Sequence, residues 1–296
     1  MPQTSPPTPA QTLREQALAC LFQHRAVRTD QLQRMLQPAP HIESLRRTLR
    51  ALRRAALAES DDRRHQPSVW ALTPAGRALV LTWPQFRGRR TYRNALASAH
   101  NAHTLTVTRT ALAFLSDAQV RGDELTPLDW TPEVAHPIRD GAGDGERMLI
   151  ADALLRYTRN TPTRALLRAF IEVDRATESS ERLASKVITY ARFHSHVPVL
   201  GRRGNGAAPS GLRPWQRSYA VFPRLLFVLT GAGPRALAQR VSDLRSMVWE
   251  HPLTERFAAE VAVGAAVLEE LEERGPSAAV WWPLDGRTGR CSWMEL

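Results

Sequence analysis

Apolar positions along the chain follow two periods, and the changes between them mark out its elements. Leu13, Ala17, Cys20 and Leu21 recur at helical spacing and predict a first helix over Thr12–His24. Thr29 reads as the N-cap of a short second helix, Asp30–Leu36. A third helix, Ile42–Ala55, sets Ile42, Leu45, Leu49 and Leu52 on one face. Two extended runs follow, Ala56–Glu59 and Ser68–Leu72, and Thr73-Pro74-Ala75-Gly76 opens another helix with proline in its first turn. A long helix is predicted over Asn94–Leu115. Beyond it Leu128–Val134, Met148–Tyr157, Ala169–Val173 and Leu225–Leu229 read as strands, with Ala135–Arg147 a glycine-bearing loop. Leu183, Lys186, Val187 and Tyr190 stand at i, i+3, i+4, i+7 and mark a helix between the last two strands; Pro234–Met247 is a further one. Phe257–Glu272 alternates before a helical end, and Ala278–Gly286 reads as a last strand.

These elements group into an α/β protein of two parts. Residues 1–10, with four prolines, are expected to be a disordered tail. Three helices, a two-stranded wing and a closing helix make a winged helix-turn-helix over residues 11–82. Trp83–Arg93 reads as a basic linker. Residues 94–296 run helix, three strands, helix, strand, helix, the order of an α/β sandwich around a short mixed sheet.

Charge sharpens the division. The chain carries +11, and residues 1–93, with 16 arginines against 6 acidic residues, hold +10 of it. A basic module beside a near-neutral one points to a polyanion, double-stranded DNA first. The exposed faces of the third helix carry Arg46, Arg47, Arg50, Arg53 and Arg54, with Glu43 the one acidic neighbour, and Arg63 and Arg64 sit in the wing. They are the candidate DNA-binding residues, the helix for the major groove and the wing for phosphate or minor groove. Two distant cysteines, Cys20 and Cys291, exclude a disulfide framework or zinc site. The opening residues do not read as a signal peptide, and no apolar run approaches a membrane span, so a cytoplasmic protein without membrane contact is expected.

Candidate chemistry gathers in Ala169–Tyr190. Glu172 and Asp174 are two apart on a strand and therefore share a face. A hairpin through Thr158–Thr163 brings Asp152, alone in an apolar run, beside Glu172. Lys186 lies on the inward stripe of the next helix and is the chain's single lysine against 39 arginines. Carboxylate oxygens suit a hard cation, Mg²⁺ or Mn²⁺, and an ammonium can offset charge at a phosphate, so Asp152, Glu172, Asp174 and Lys186 are the candidate catalytic set, the three carboxylates its metal ligands. A strand-end cap, or an ion pair of Glu172 or Asp174 with Arg175, is the plainer alternative. Glu133 is a weaker fourth carboxylate. His100 and His103, at i, i+3, fit packing better than ligation. The spaced glycines of Gly201–Trp215 lack a G-K-[ST] ending, which makes a flexible flap and not a phosphate loop.

Ile150-Ala151-Asp152 followed by Glu172-Val173-Asp174 resembles the PD-(D/E)xK nuclease core, with alanine in the place of its proline and Asp174 in the place of its lysine; Lys186 would supply the displaced ammonium. More widely, residues 10–285 resemble the replication-relaxation family of plasmid and integrative-element proteins, and the related relaxases with a restriction-endonuclease-like domain. The resemblance rests on Leu72-Thr73-Pro74-Ala75-Gly76, His103, Trp130 with Glu133, Ala151-Asp152-Ala153, the run from Glu172 to Glu178, and Lys186 with Tyr190. It implies a DNA-binding protein at an origin of replication or transfer, a metal-dependent nickase in which Asp152, Glu172 and Asp174 hold the ion, Lys186 steadies water or phosphate, and Tyr190 packs or touches phosphate. A second class stays open: a regulator whose nuclease-like domain is inactive and serves dimerisation or docking. Besides DNA, a second copy of the chain and other replication or transfer proteins are the partners to be expected.

Overall fold

The structure is a computed structural model that describes residues 12–62, 67–92, 96, 101–138, 147–196 and 213–296. It divides into two compact units, Met1–Leu112 and Ala113–Leu296, with the boundary inside a long helix. The candidate wing arginines Arg63 and Arg64, His100, the proline-rich tail up to residue 11, and residues 139–146 and 201–212 of the two glycine-bearing loops lie outside the described residues.

The first unit begins with α1 (Leu13–His24), closed at its start by Thr12 and Glu15 in a reciprocal capping box. There follow β1 (Val27–Arg28), α2 (Thr29–Met35), α3 (Ile42–Arg54), β2 (Ala58–Asp61), β3 (Val69–Leu72) and α4 (Pro74–Leu81). The strands form an antiparallel sheet in the order β1-β3-β2. Leu45, Leu49 and Leu52 of α3 are buried with Leu18, Leu21, Leu32 and Leu72, and the apolar stripe of the sequence is the core of this unit; Ile42 is only partly covered.

Two expectations change. Thr29 is not the cap of α2: it is inside the helix, its hydroxyl donates to the Ser68 carbonyl and accepts from the Trp70 indole, and Arg28 holds the N-cap position. The two residues of β1, too few for a periodic signal, add a third strand to the expected two. Thr73 does cap α4, accepting from the Gly76 amide, and its hydroxyl donates to the Ala56 carbonyl. In the stretch read as a linker, Phe86 is buried edge-on against Phe22 (4.9 Å), and the Tyr92 hydroxyl donates to the Leu21 carbonyl. That stretch is therefore packed on α1.

The second unit is a six-stranded mixed sheet with helices on both faces. Its strands are β4 (Trp130–Ile138), β5 (Arg147–Arg159), β6 (Ala165–Asp174), β7 (Arg224–Leu229), β8 (Val263–Val267) and β9 (Trp282–Pro283), side by side in chain order. β4, β5 and β6 pair antiparallel, β6–β7 and β7–β8 parallel, and β8–β9 antiparallel. Parallel neighbours need crossovers. α6 (Ser180–Ser195) supplies the first, and α7 (Pro234–Glu250) with α8 (Pro252–Glu260) the second. Phe170, Phe227 and Ala265 pack with Leu183 and Val187 of α6, Val241 and Leu244 of α7, and Phe257 of α8 in one core. On another side Phe114 of α5 (Asn101–Arg121) meets Trp130, Trp281 and Trp293, all fully buried.

Differences from expectation here are of extent. α5 reaches Arg121, six residues past the predicted end. Trp130, not Leu128, opens β4, after a 3-10 turn over Pro127–Asp129. β4 continues through Ile138, so Ala135–Ile138 is strand where a loop was expected. The Phe257–Glu272 stretch resolves into the end of α8, then β8, then the start of α9 (Leu268–Arg274).

The turn after β7 bears directly on the β6 end. Gly231 has φ +85°, and a Cβ there would stand 2.5 Å from the Arg175 carbonyl oxygen. Gly231→Ala is expected to destabilise the second unit by about 1–3 kcal/mol, through overpacking together with a strained backbone. A thermal-unfolding scan that leaves the melting temperature unchanged would contradict this close approach.

Candidate functional site

β6 delivers two carboxylates to one sheet face, and each meets a different helix. The β5–β6 ladder pairs Ala153 with Ile171; past that point the Asp152 side chain takes the place of a ladder partner, its Oδ2 accepting from the Val173 amide at 2.7 Å. Glu172, only 3% exposed, has both oxygens engaged: the Tyr190 hydroxyl donates to Oε1 at 2.6 Å, and the Lys186 ammonium lies 3.1 Å from Oε2. Lys186 and Tyr190 are four apart on α6 and so project from one face of the helix. The same ammonium stands 3.3 Å from Oε2 of Glu178, in the turn between β6 and α6.

Asp174 is drawn elsewhere. Its Oδ2 accepts from the Arg240 guanidinium of α7, and the same Nη2 also donates to the Glu178 carbonyl. The Glu178 amide in turn donates to Asp174 Oδ1 at 3.4 Å. Arg240 thus ties both ends of a turn in which Ala176 takes φ +56°, a left-handed conformation that costs a non-glycine residue of order 1–3 kcal/mol. The clamp holds that turn and, through it, Glu178.

Electrostatics follow from this placement. Burial pushes the Glu172 carboxyl up to about 7, with the Asp152 charge adding to it and Lys186 and Tyr190 opposing. Burial alone would lower the Lys186 ammonium, but Glu172, Asp152 and Glu178 outweigh it and raise it well above its ordinary value. The Tyr190 hydroxyl is raised by burial and by Glu172. Burial works against the charge of both partners; at Glu172 it is the largest influence, whereas at Lys186 the surrounding carboxylates together overcome it. The proton stays on Lys186, and Glu172 is the member that changes state near neutrality.

Of the residues read from the sequence, Asp152, Glu172 and Lys186 come together. Asp174 shares their strand face but is committed to Arg240. Tyr190 is fully buried against Glu172, out of reach of a phosphate. Glu133 is exposed on β4 with φ +47°. Glu178 and Arg240 were missed as site residues. Among the described residues no group of three His, Cys, Asp or Glu side chains is set to cage a metal ion.

In the first unit Arg46, Arg47, Arg50, Arg53 and Arg54 are all exposed on α3. Glu43 Oε1 accepts from Arg46 at 2.6 Å, and its Oε2 lies 3.9 Å from Arg50. Arg53 reaches Ser60 of β2 and Asp62 just after it, each at 3.1 Å, and Asp62 is a second acidic partner beyond the one expected. Beside this face an open cavity of about 740 Å³ is lined by Ile42, Arg46, Arg50 and Arg53, with Thr29 and Trp70 opposite.

The Glu172 shift yields a pH dependence with a definite sign. Its carboxyl holds a proton in the fold at pH values where an unfolded carboxylate has lost it. The fold therefore binds more protons in that window, and stability is lost as pH rises from the ordinary carboxylate range towards about 7. Lys186 stays charged throughout and sets the level, not the slope. Wild type should lose melting temperature more steeply than Glu172→Gln between about pH 5 and about pH 8; parallel curves would contradict the buried carboxylate.

A family model described as Replication-relaxation matches residues 18–207, from within α1 to beyond α6. No curated protein and no solved structure matches the chain. The matched span covers well over half of the sequence and includes α3, Asp152, Glu172, Glu178 and Lys186, so the chain belongs to the replication-relaxation family.

Proposed function

We propose that this is a DNA-binding protein of a mobile element that acts at an origin of replication or transfer and nicks one DNA strand there. Family membership supports the replication-related role. The observation that carries the nicking is the Lys186 ammonium between Glu172 and Glu178, beside Asp152 at the end of β6. The order α5, three antiparallel strands, α6, parallel strand agrees with the PD-(D/E)xK-like reading of the second unit. The order α1-β1-α2-α3-β2-β3 agrees with the winged helix reading of the first. No described helix is long and apolar enough to cross a membrane.

Double-stranded DNA is held by the arginines of α3 in this reading. At the second unit a phosphodiester is hydrolysed: water oxygen bonds to phosphorus, the bond to the leaving sugar oxygen breaks, and that oxygen takes up a proton. Lys186, protonated at all working pH values, offers hydrogens to a phosphoryl oxygen as charge builds there. Arg240 keeps Glu178 against the ammonium by fixing the turn. The donor set suits Mg²⁺ or Mn²⁺ through Asp152 and Glu172: both are oxygen donors, and their mutual repulsion is part of what raises Glu172. Mg²⁺ usually takes one or two carboxylates plus substrate phosphates and water, so a complete protein cage is not required. Such an ion would supply Lewis-acid activation of the phosphate and a more acidic water. Asp174, tied to Arg240, is left out of that set.

A second reading, a regulator whose nuclease-like unit does not cut, is favoured by one observation. Both oxygens of Glu172 and both of Asp174 are already occupied by protein donors.

Incubation with supercoiled DNA from the element that encodes the protein, with Mg²⁺, Mn²⁺ or EDTA, separates the two. Metal-dependent conversion to open circles, lost in Lys186→Ala, is expected; binding without nicking under either metal selects the regulator. Arg47→Ala together with Arg54→Ala should weaken duplex binding by at least about tenfold and flatten its dependence on salt, since each arginine–phosphate contact releases counterions. Unchanged affinity by fluorescence anisotropy would remove α3 from the DNA interface.

A further inference from the structure

Glu43 is out of place on a surface built only to hold phosphates. It stands at the second position of α3, one turn ahead of the first arginines, about half exposed. A carboxylate there repels every phosphate that approaches, whatever the sequence. Its bonds to Arg46 and Arg50 are surface ion pairs, worth little and readily exchanged. Arg47 and Arg54 on the same face make no ion pair with any described residue, and Arg53 is turned to the wing.

The surface thus divides. On the side that lines the open cavity one acid, Glu43, stands with the Arg46 and Arg50 guanidiniums; Arg47 and Arg54, exposed, are not part of that lining. A helix that enters the major groove carries side chains that meet base edges together with others that meet the backbone. An arginine fork pairs with guanine O6 and N7, and a glutamate accepts from the cytosine amino group, which a phosphate contact does not require.

Resting on the DNA-binding reading and deepening it, we propose that Glu43, Arg46 and Arg50 are the specificity-determining residues of α3 and read G·C pairs in the major groove. Glu43 takes a cytosine amino hydrogen and holds both arginines in position for guanines, while Arg47 and Arg54 contact phosphate. Glu43 gives up affinity for DNA in general and gains discrimination. This differs from a helix-start role, in which a first-turn acid merely offsets the helix dipole: that role affects stability and leaves base preference untouched.

The test selects preferred sites from a randomised duplex pool with the full chain, its Glu43→Gln and Glu43→Ala variants, and Arg47→Ala, then measures affinity for the selected and a scrambled duplex. Wild type should select a motif containing G·C pairs. Both Glu43 variants should lose preference at one position by about five- to a hundred-fold while binding the scrambled duplex as well as wild type or better. Arg47→Ala should weaken both duplexes by the same factor and keep the motif. A Glu43 variant that selects the wild-type motif with the same discrimination overturns the proposal, as does a wild type that binds duplexes without preference; in both cases α3 remains a DNA-binding helix. Failure of wild type to bind any duplex sinks the DNA-binding reading itself.

Discussion

A carboxylate sealed inside a protein has to be answered by donors, and Glu172 sets that requirement for the second unit. At 3% exposure it has lost its water, and an uncompensated carboxylate there would cost several kcal/mol. The chain meets the demand from one helix, with Tyr190 on one oxygen and Lys186 on the other. Because these residues are one turn apart, satisfying both fixes the rotation of α6 about its axis and its height along β6. Leu183 and Val187 then fall into the core with Phe170 and Phe227. Polar pairing specifies the register, and apolar burial supplies the stability.

The second carboxylate on the same face enforces a division of labour. Asp174 lies two residues on, at the C-terminal end of β6 beside β7, and it is met from α7 by Arg240. Two residues of one strand thereby select two different helices, and the turn from β6 into α6 is drawn tight by the Arg240 guanidinium. Glu178, in that turn, closes on Lys186. The site is thus a product of the crossover itself: a parallel β6–β7 pair needs a helix across one face, and the turn into that helix brings its acid to the strand end.

What could be read in the sequence and what could not follow from this physics. Strict periodicity exposed the α3 leucines, the α6 stripe and the shared face of Glu172 and Asp174. Periodicity says nothing about a turn, so Glu178 was only a letter in a run. Arg240 is 66 residues from Asp174 and one of 39 chemically identical arginines; no local pattern distinguishes it. Thr29 had the chemistry of a cap, but a hydroxyl that can reach the Ser68 carbonyl and the Trp70 indole prefers that tertiary pair. β8, Val-Gly-Ala-Ala-Val, is a central strand of small residues, buried on both faces, and so shows no alternation to mark it out.

The single lysine is explained by the space it fills. Its ammonium is a compact charge with three rotatable hydrogens, and it sits 3.1 Å from one carboxylate and 3.3 Å from another on different segments. A guanidinium is planar, broader, and best matched to one carboxylate in a two-pronged pair, the geometry Arg28 makes with Asp30. Between Glu172 and Glu178 that fork would have to push the turn away from β6, against the hold of Arg240. A chain whose other 39 Lys/Arg positions are all arginine keeps lysine where the charge must be small and stay protonated beside three acids.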